Sequence, residues 1–117
     1  MNKQTSITKS IFTKEIEMQL QEQYREMENN PDIDYFDQKV ICRIYHPYCF
    51  WSWYIINQDP EDPNYLWAIV SGQEVEVGSV SKSDLDGEIY GHPFMVDINF
   101  KPTLSKAVYQ TLLNIIE

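Results

Sequence analysis

The 117-residue chain predicts a two-layer α+β fold: a four- to five-stranded, mainly antiparallel sheet packed by an N-terminal and a C-terminal helix. Three observations predict it. Apolar residues recur at three- and four-residue steps near each end, the period of an amphipathic helix. Between them, residues 40–80 are dense in β-branched and aromatic residues that alternate with polar ones, the period of a strand. Breaks marked by proline and glycine cut this centre into short segments suited to antiparallel neighbours. The length suits one domain, residues 11–117, behind a polar tail over residues 1–10 that is expected to be mobile.

The first helix should start after Thr13, an N-cap residue, with Glu15 and Glu17 complementing the dipole of its first turn. Ile11 or Phe12 could staple its start. Ile16, Leu20, Tyr24 and Met27 share its apolar face, and Glu22, Arg25, Glu26 and Glu28 its wet one. Asn29-Asn30-Pro31 should end it, by a left-handed cap on Asn and the constraint Pro31 places on its predecessor. Asp32 to Gln38 reads as an acidic connector whose Tyr35 and Phe36 tuck onto the core.

A strand over 39–45 puts Val40, Cys42 and Ile44 on one face, and His46-Pro47 stops it. A second, over 50–56, alternates Trp51, Trp53 and Ile55 against Ser52, Tyr54 and Ile56, which places both tryptophans in the core beneath the helices. Residues 57–64 carry two prolines and three acids and read as a loop. Strands over 65–70 and 74–80 follow, the latter with Val75 and Val77 inward and Glu74 and Glu76 in water. Residues 81–86 read as one capped helical turn ending at Gly87. Residues 94–100 alternate like a fifth strand, with Phe94, Val96, Ile98 and Phe100 together. Thr103 should cap a final helix whose apolar face is Leu104, Ala107, Val108, Thr111, Leu112 and Ile115.

Composition narrows the function. A hydrophobic fraction of 43% is that of a globular chain, no apolar run is long enough to span a bilayer, and the polar start lacks an export signal. A soluble, cytoplasmic protein with no membrane partner is expected. Eighteen acids against nine bases give a net charge of −9, so direct binding to a phosphate backbone is not expected. The excess acid serves solubility, or it meets a protein partner that is itself basic.

Chemistry is harder to place. Cys42 and Cys49, the only cysteines, suit a core in a reducing compartment, and with two histidines they make no metal-ligand pattern. His46 and His92 each precede a proline, a turn device. The glycines form no phosphate cradle, and no nucleophile–base set can be placed. No catalytic residue, metal or cofactor is assigned.

Trp51-Ser-Trp-Tyr54, then Asp59-Pro-Glu61, Leu66-Trp-Ala-Ile-Val-Ser-Gly72, Glu74-Val-Glu-Val-Gly78 and Ser81-Lys-Ser-Asp-Leu85, resemble a family of small bacterial proteins catalogued only as a domain of unknown function. Phe12-Thr-Lys-Glu-Ile16 is similar to that family's helix opening, and the resemblance runs from about Phe12 to Leu104. Where the family has E-R-D-x-x-F, this chain has Met95-Val-Asp-Ile-Asn-Phe100, keeping only Asp97 and Phe100. Members are often carried by plasmids, phages and integrated elements, so the resemblance implies a mobile-element setting and no particular reaction.

Two functions follow as expectations. The first is a small acidic protein-binding module, an anti-defence inhibitor of the anti-CRISPR kind, that binds a basic nucleic-acid-processing partner. Its contact residues would be Asp32, Asp34 and Asp37, then Asp59, Glu61 and Asp62, then Asp84, Asp86 and Glu88, with Tyr54. The alternative is a small-ligand binder or enzyme whose pocket is lined by Trp51, Trp53, Tyr54 and Asp97, with His46 or His92. Self-association through an exposed strand edge is a third possibility.

Overall fold

Thr13 starts the first helix as expected. Its hydroxyl oxygen accepts the Ile16 N–H at 3.2 Å, and α1 runs Lys14–Asn29 in the computed structural model, which describes residues 10–116. Asn30 ends it in an extended conformation, φ −141°, rather than the left-handed one expected. Pro31 explains this, since its ring pushes the preceding residue out of the helical region. The expected tail lies outside the described residues except for Ser10, whose hydroxyl donates to Asp86 at 2.7 Å.

The strands are β1 (Lys39–Val40), β2 (Cys42–His46), β3 (Cys49–Asp59), β4 (Asp62–Ser71) and β5 (Val75–Ser81). After the helical turn α2 (Lys82–Leu85) come β6 (Glu88–Ile89), β7 (His92–Pro93), β8 (Met95–Val96) and β9 (Thr103–Leu104), and α3 (Ser105–Ile116) closes the chain. The main sheet has five antiparallel strands in the order β5-β4-β3-β2-β8. Separately, β1 pairs with β9 and β6 with β7. The expected α+β class, antiparallel sheet and terminal helices are all present.

The stacking is where expectation and structure part. Phe12 and Leu20 gather with Cys42, Ile44, Ile55, Leu66 and Ala68 in one buried cluster. Val108 of α3 gathers with Val40, Ile56 and Ile69 in another. Leu66 and Ala68 alternate with Ile69 along β4, so the clusters lie on opposite faces of the sheet. One helix therefore covers each face, whereas both were expected on the same one.

Three local corrections share a cause, tertiary pairing overriding sequence period. Thr103 does not cap the last helix; it pairs with Val40, and Leu104 with Lys39. That pairing delays α3 to Ser105, whose N–H donates to the Gln38 carbonyl at 2.8 Å. The buried side of α3 thereby becomes Ser105, Val108, Tyr109 and Leu112, while Leu104, Ala107, Thr111 and Ile115 are exposed. The alternation expected over 94–100 ends at Asp97, where the Phe100 N–H donates to the Asp97 carbonyl. Ile98 is left in solvent and Phe100 crosses to the α3 face. Trp53 packs edge-on to Phe94 at 5.3 Å as a core residue should, but Trp51 is 37% exposed. Its ring lies on the backbone at Gly72.

Candidate functional site: an aromatic pocket between two acidic turns

The expected loop over 57–64 is instead the tip of a long hairpin. Asp59 pairs with Asp62 across Pro60 and Glu61, and the Asp59 Oδ1 accepts the Glu61 N–H at 2.9 Å, closing the turn. Bulges interrupt β3 between Ile55 and Asn57 and between Gln58 and Asp59. Ile55, Ile56, Asn57 and Gln58 are buried in a row because both faces of the sheet are covered, Ile55 packing in the cluster with Leu20 and Ile56 in the one with Val108.

Beyond Ile55, β3 has no strand partner on its β2 side. Helix α1 takes that place. The Gln23 amide donates to the carbonyls of Ile56 and Lys39, and its oxygen accepts the Lys39 N–H at 3.2 Å. A side chain thus completes what a neighbouring strand would supply. Gln58, fully buried, accepts from Gln21 and donates to Glu17 and the Pro63 carbonyl. Glu17 also receives Lys82 at 2.7 Å. Burial alone would raise the Glu17 carboxyl, but these hydrogen bonds and the Lys82 charge outweigh it and hold it below its ordinary 4.5.

So anchored, the second half of α1 faces the hairpin, with Tyr24 reaching Asp59. The space between them is a cavity of about 560 Å³, walled by Tyr24, Met27 and Glu28 of α1, by Tyr35, by Asn57 and Asp59 of β3, and by Tyr65 and Trp67 of β4. Ligand sites commonly have this size. Tyr65 and Trp67 lie nearly parallel, 17° apart with centroids at 6.5 Å, because i and i+2 on a strand share a face. Tyr35 meets Trp67 edge-on at 5.6 Å. The Tyr24 hydroxyl donates to Asp59 Oδ2 at 3.3 Å. Burial, and then the charges of Asp59 and Glu28, raise the Tyr24 phenol above its ordinary value, so both carboxylates are felt inside the pocket. Among the described residues no Lys, Arg or His lines it.

Of the expected acidic residues only Asp59 lines this pocket; the first cluster reaches it through Tyr35, which that cluster flanks in sequence. Asp34 and Asp37 form a capping box around the single helical turn Tyr35–Asp37, which presents Tyr35 to the cavity while Phe36 packs on Tyr109. Asp32 is exposed beside it, and Glu61 and Asp62 are exposed at the hairpin tip. The third cluster has other work. Asp86 accepts the Ser10 hydroxyl and the Ile11 N–H, pinning the start of the described chain, with Asp84 and Glu88 exposed nearby in sequence. Tyr54 is half-buried against Phe100, with the Arg43 guanidinium 6.0 Å from its ring.

The alternative pocket does not assemble. Trp51 and Trp53 point to the α1 face, whereas Tyr54 shares the other with Arg43, which is paired with Asp97 at 3.0 Å. His46 is buried, its Nδ1 accepting the Tyr48 N–H and its Nε2–H therefore donating to the His92 carbonyl. It fixes the turn, as the His-Pro reading expected. Among the described residues no three of His, Cys, Asp and Glu come together as metal ligands, and no helix is long and apolar enough to cross a membrane.

Sequence reasoning missed Tyr24, Glu28, Tyr65 and Trp67 as a set. The spacing was there: Tyr24 and Glu28 are i and i+4 on a helix, Tyr65 and Trp67 i and i+2 on a strand. What joins the pairs is the packing of α1 against the hairpin, which no local pattern encodes. Comparison with protein-family models, with curated proteins and with solved structures returned no match, so fold and pocket stand on geometry alone.

Proposed function

We propose that this chain is an acidic protein-binding module whose aromatic pocket receives a cationic side chain of a basic partner. One observation carries the reading: Glu28 and Asp59 line a cavity walled by Tyr24, Tyr35, Tyr65 and Trp67, with no basic residue among the described residues that line it. Aromatic faces and carboxylates both attract cations, and an open pocket bordered by acidic turns supplies orientation as well as charge. The net charge of −9 would steer encounter with a basic surface. A nucleic-acid-processing or defence complex as that partner, in the manner of an anti-CRISPR inhibitor, rests on the mobile-element resemblance only.

The test is a titration with a lysine- and arginine-rich peptide, followed by amide and indole NMR shifts at low and high salt. The largest shifts should fall on Tyr24, Asp59, Tyr65 and Trp67, and affinity should drop as the Debye length shrinks from about 10 Å at 0.1 M salt to about 3 Å at 1 M. Shifts centred elsewhere, or salt-independent affinity, would reject the reading.

A further inference from the structure

We infer that the pocket selects an alkylated ammonium group, a cation with a carbon surface, over a guanidinium. This rests on the basic-partner reading and sharpens it to one chemistry. A guanidinium spends its binding energy through a planar fork of N–H donors on paired carboxylate oxygens. Neither carboxylate of the pocket meets that fork to advantage. Asp59 Oδ1 already accepts from the Glu61 N–H and Oδ2 from the Tyr24 hydroxyl. One acceptor site of each Asp59 oxygen is thereby taken, and Glu28, which also lines the pocket, is exposed on α1, where solvent screens a charge pair and leaves it worth little.

An alkylammonium needs something else: negative charge at short range and aromatic surface for its methyl groups. Cations are attracted within about 6 Å of a ring centroid, most strongly by Trp. Tyr65 and Trp67 present a double aromatic wall, and Tyr35 closes against Trp67 at 5.6 Å. The Asp59 carboxylate, with one hydrogen bond already on each oxygen, still contributes its charge. A volume of about 560 Å³ holds such a head group and part of the chain that carries it. The chemistry has two sources, a free quaternary ammonium compound or a methylated lysine on a protein, and the experiment separates them.

Isothermal titration would compare choline with 3,3-dimethylbutanol, its neutral carbon isostere, and one short peptide bearing trimethyl-lysine, lysine or arginine at its centre. Choline should bind saturably and its isostere about tenfold more weakly, a difference of about 1.4 kcal/mol. Asp59→Asn and Tyr65→Ala should each weaken choline several-fold. If Tyr65→Ala does not fold by circular dichroism, Glu28→Gln, exposed on its helix, takes its place. Tighter binding of the trimethyl-lysine peptide than of choline assigns the source to a partner side chain; equal binding assigns it to the free compound. Either supports the inference. It is overturned if the isostere matches choline, if no alkylammonium saturates, or if the arginine peptide equals the trimethyl-lysine one. In those cases the basic-peptide titration still judges the broader reading on its own.

Discussion

Gln23 is the residue on which fold and pocket both depend, and replacing it is the sharpest test of the architecture. Gln23→Ala removes three hydrogen bonds, to the Lys39 N–H, the Lys39 carbonyl and the Ile56 carbonyl. The two at Lys39 lie at the exposed edge, where water can replace them, and together they are worth about 1–2 kcal/mol. The Ile56 carbonyl is part-buried, and stranding it costs about 1–2 kcal/mol more. A total of about 2–4 kcal/mol is a large share of the roughly 5–15 kcal/mol typical of a domain. At this length about 3–4 °C of Tm accompanies each kcal/mol, so the midpoint should fall by about 6–16 °C. Gln23→Glu should cost at least as much, since it sets a carboxylate against two carbonyls. Urea denaturation gives the free energy, and hydrogen exchange should show the Lys39 amide losing protection. Gln19→Ala, one turn earlier and exposed, is the control. Equal stability of the Gln23→Ala and Gln19→Ala proteins would refute the idea that this side chain substitutes for a strand.

Two further predictions test other parts of the molecule. A Cβ at Gly72 would stand 2.5 Å from Trp51 Cε2, so Gly72→Ala should cost about 1–3 kcal/mol in urea denaturation, and much less in a Trp51→Ala background; an unchanged cost there would sink the contact. The depressed Glu17 carboxyl stabilises the fold above its unfolded value of 4.5, and that contribution is lost as pH falls through the lower folded value. Glu17→Gln should therefore lose about 1 kcal/mol at pH 7 and converge with wild type in acid, a crossover that thermal melts across pH would reveal or exclude.

Much of the fold was legible because it is local. Thr13 with Glu15 and Glu17 marks a helix start by the chemistry of unpaired N–H groups, and the structure obeys it. Val75 and Val77 against Glu76 mark a strand with one wet side, and β5 has it. What escaped was set by distant pairing. Of the expected stripe on the last helix, Val108 and Leu112 do face the core, but β1 claims Thr103 and Leu104, and the core side runs through Ser105 and Tyr109 instead of Leu104, Ala107, Thr111 and Ile115. Prolines at 60 and 63 suggested a loop over 57–64. Pro60 occupies the hairpin turn itself, and Pro63 lies next to a bulge, where its missing N–H is tolerated. The acidic residues were visible as clusters, but which of them share a surface depends on where α1 ends and which hairpin it faces.

The pocket follows from a mismatch of lengths. Strand β3 runs to Asp59 while β2 pairs with it only as far as Ile55, so the hairpin projects past its own sheet. A bare strand edge there would invite unwanted pairing. Gln23 and Gln58 blunt it with side-chain amides, and those bonds tie α1 to the base of the hairpin. Tyr24, the neighbour of Gln23, is then brought to meet Asp59. Protecting the edge and forming the pocket are one act of packing. A group bound between Tyr24 and Trp67 would bridge α1 to β4 and so reinforce the contact that Gln23 maintains, since any ligand of the folded state stabilises it. That coupling gives the two glutamines a role in recognition without either touching what is recognised.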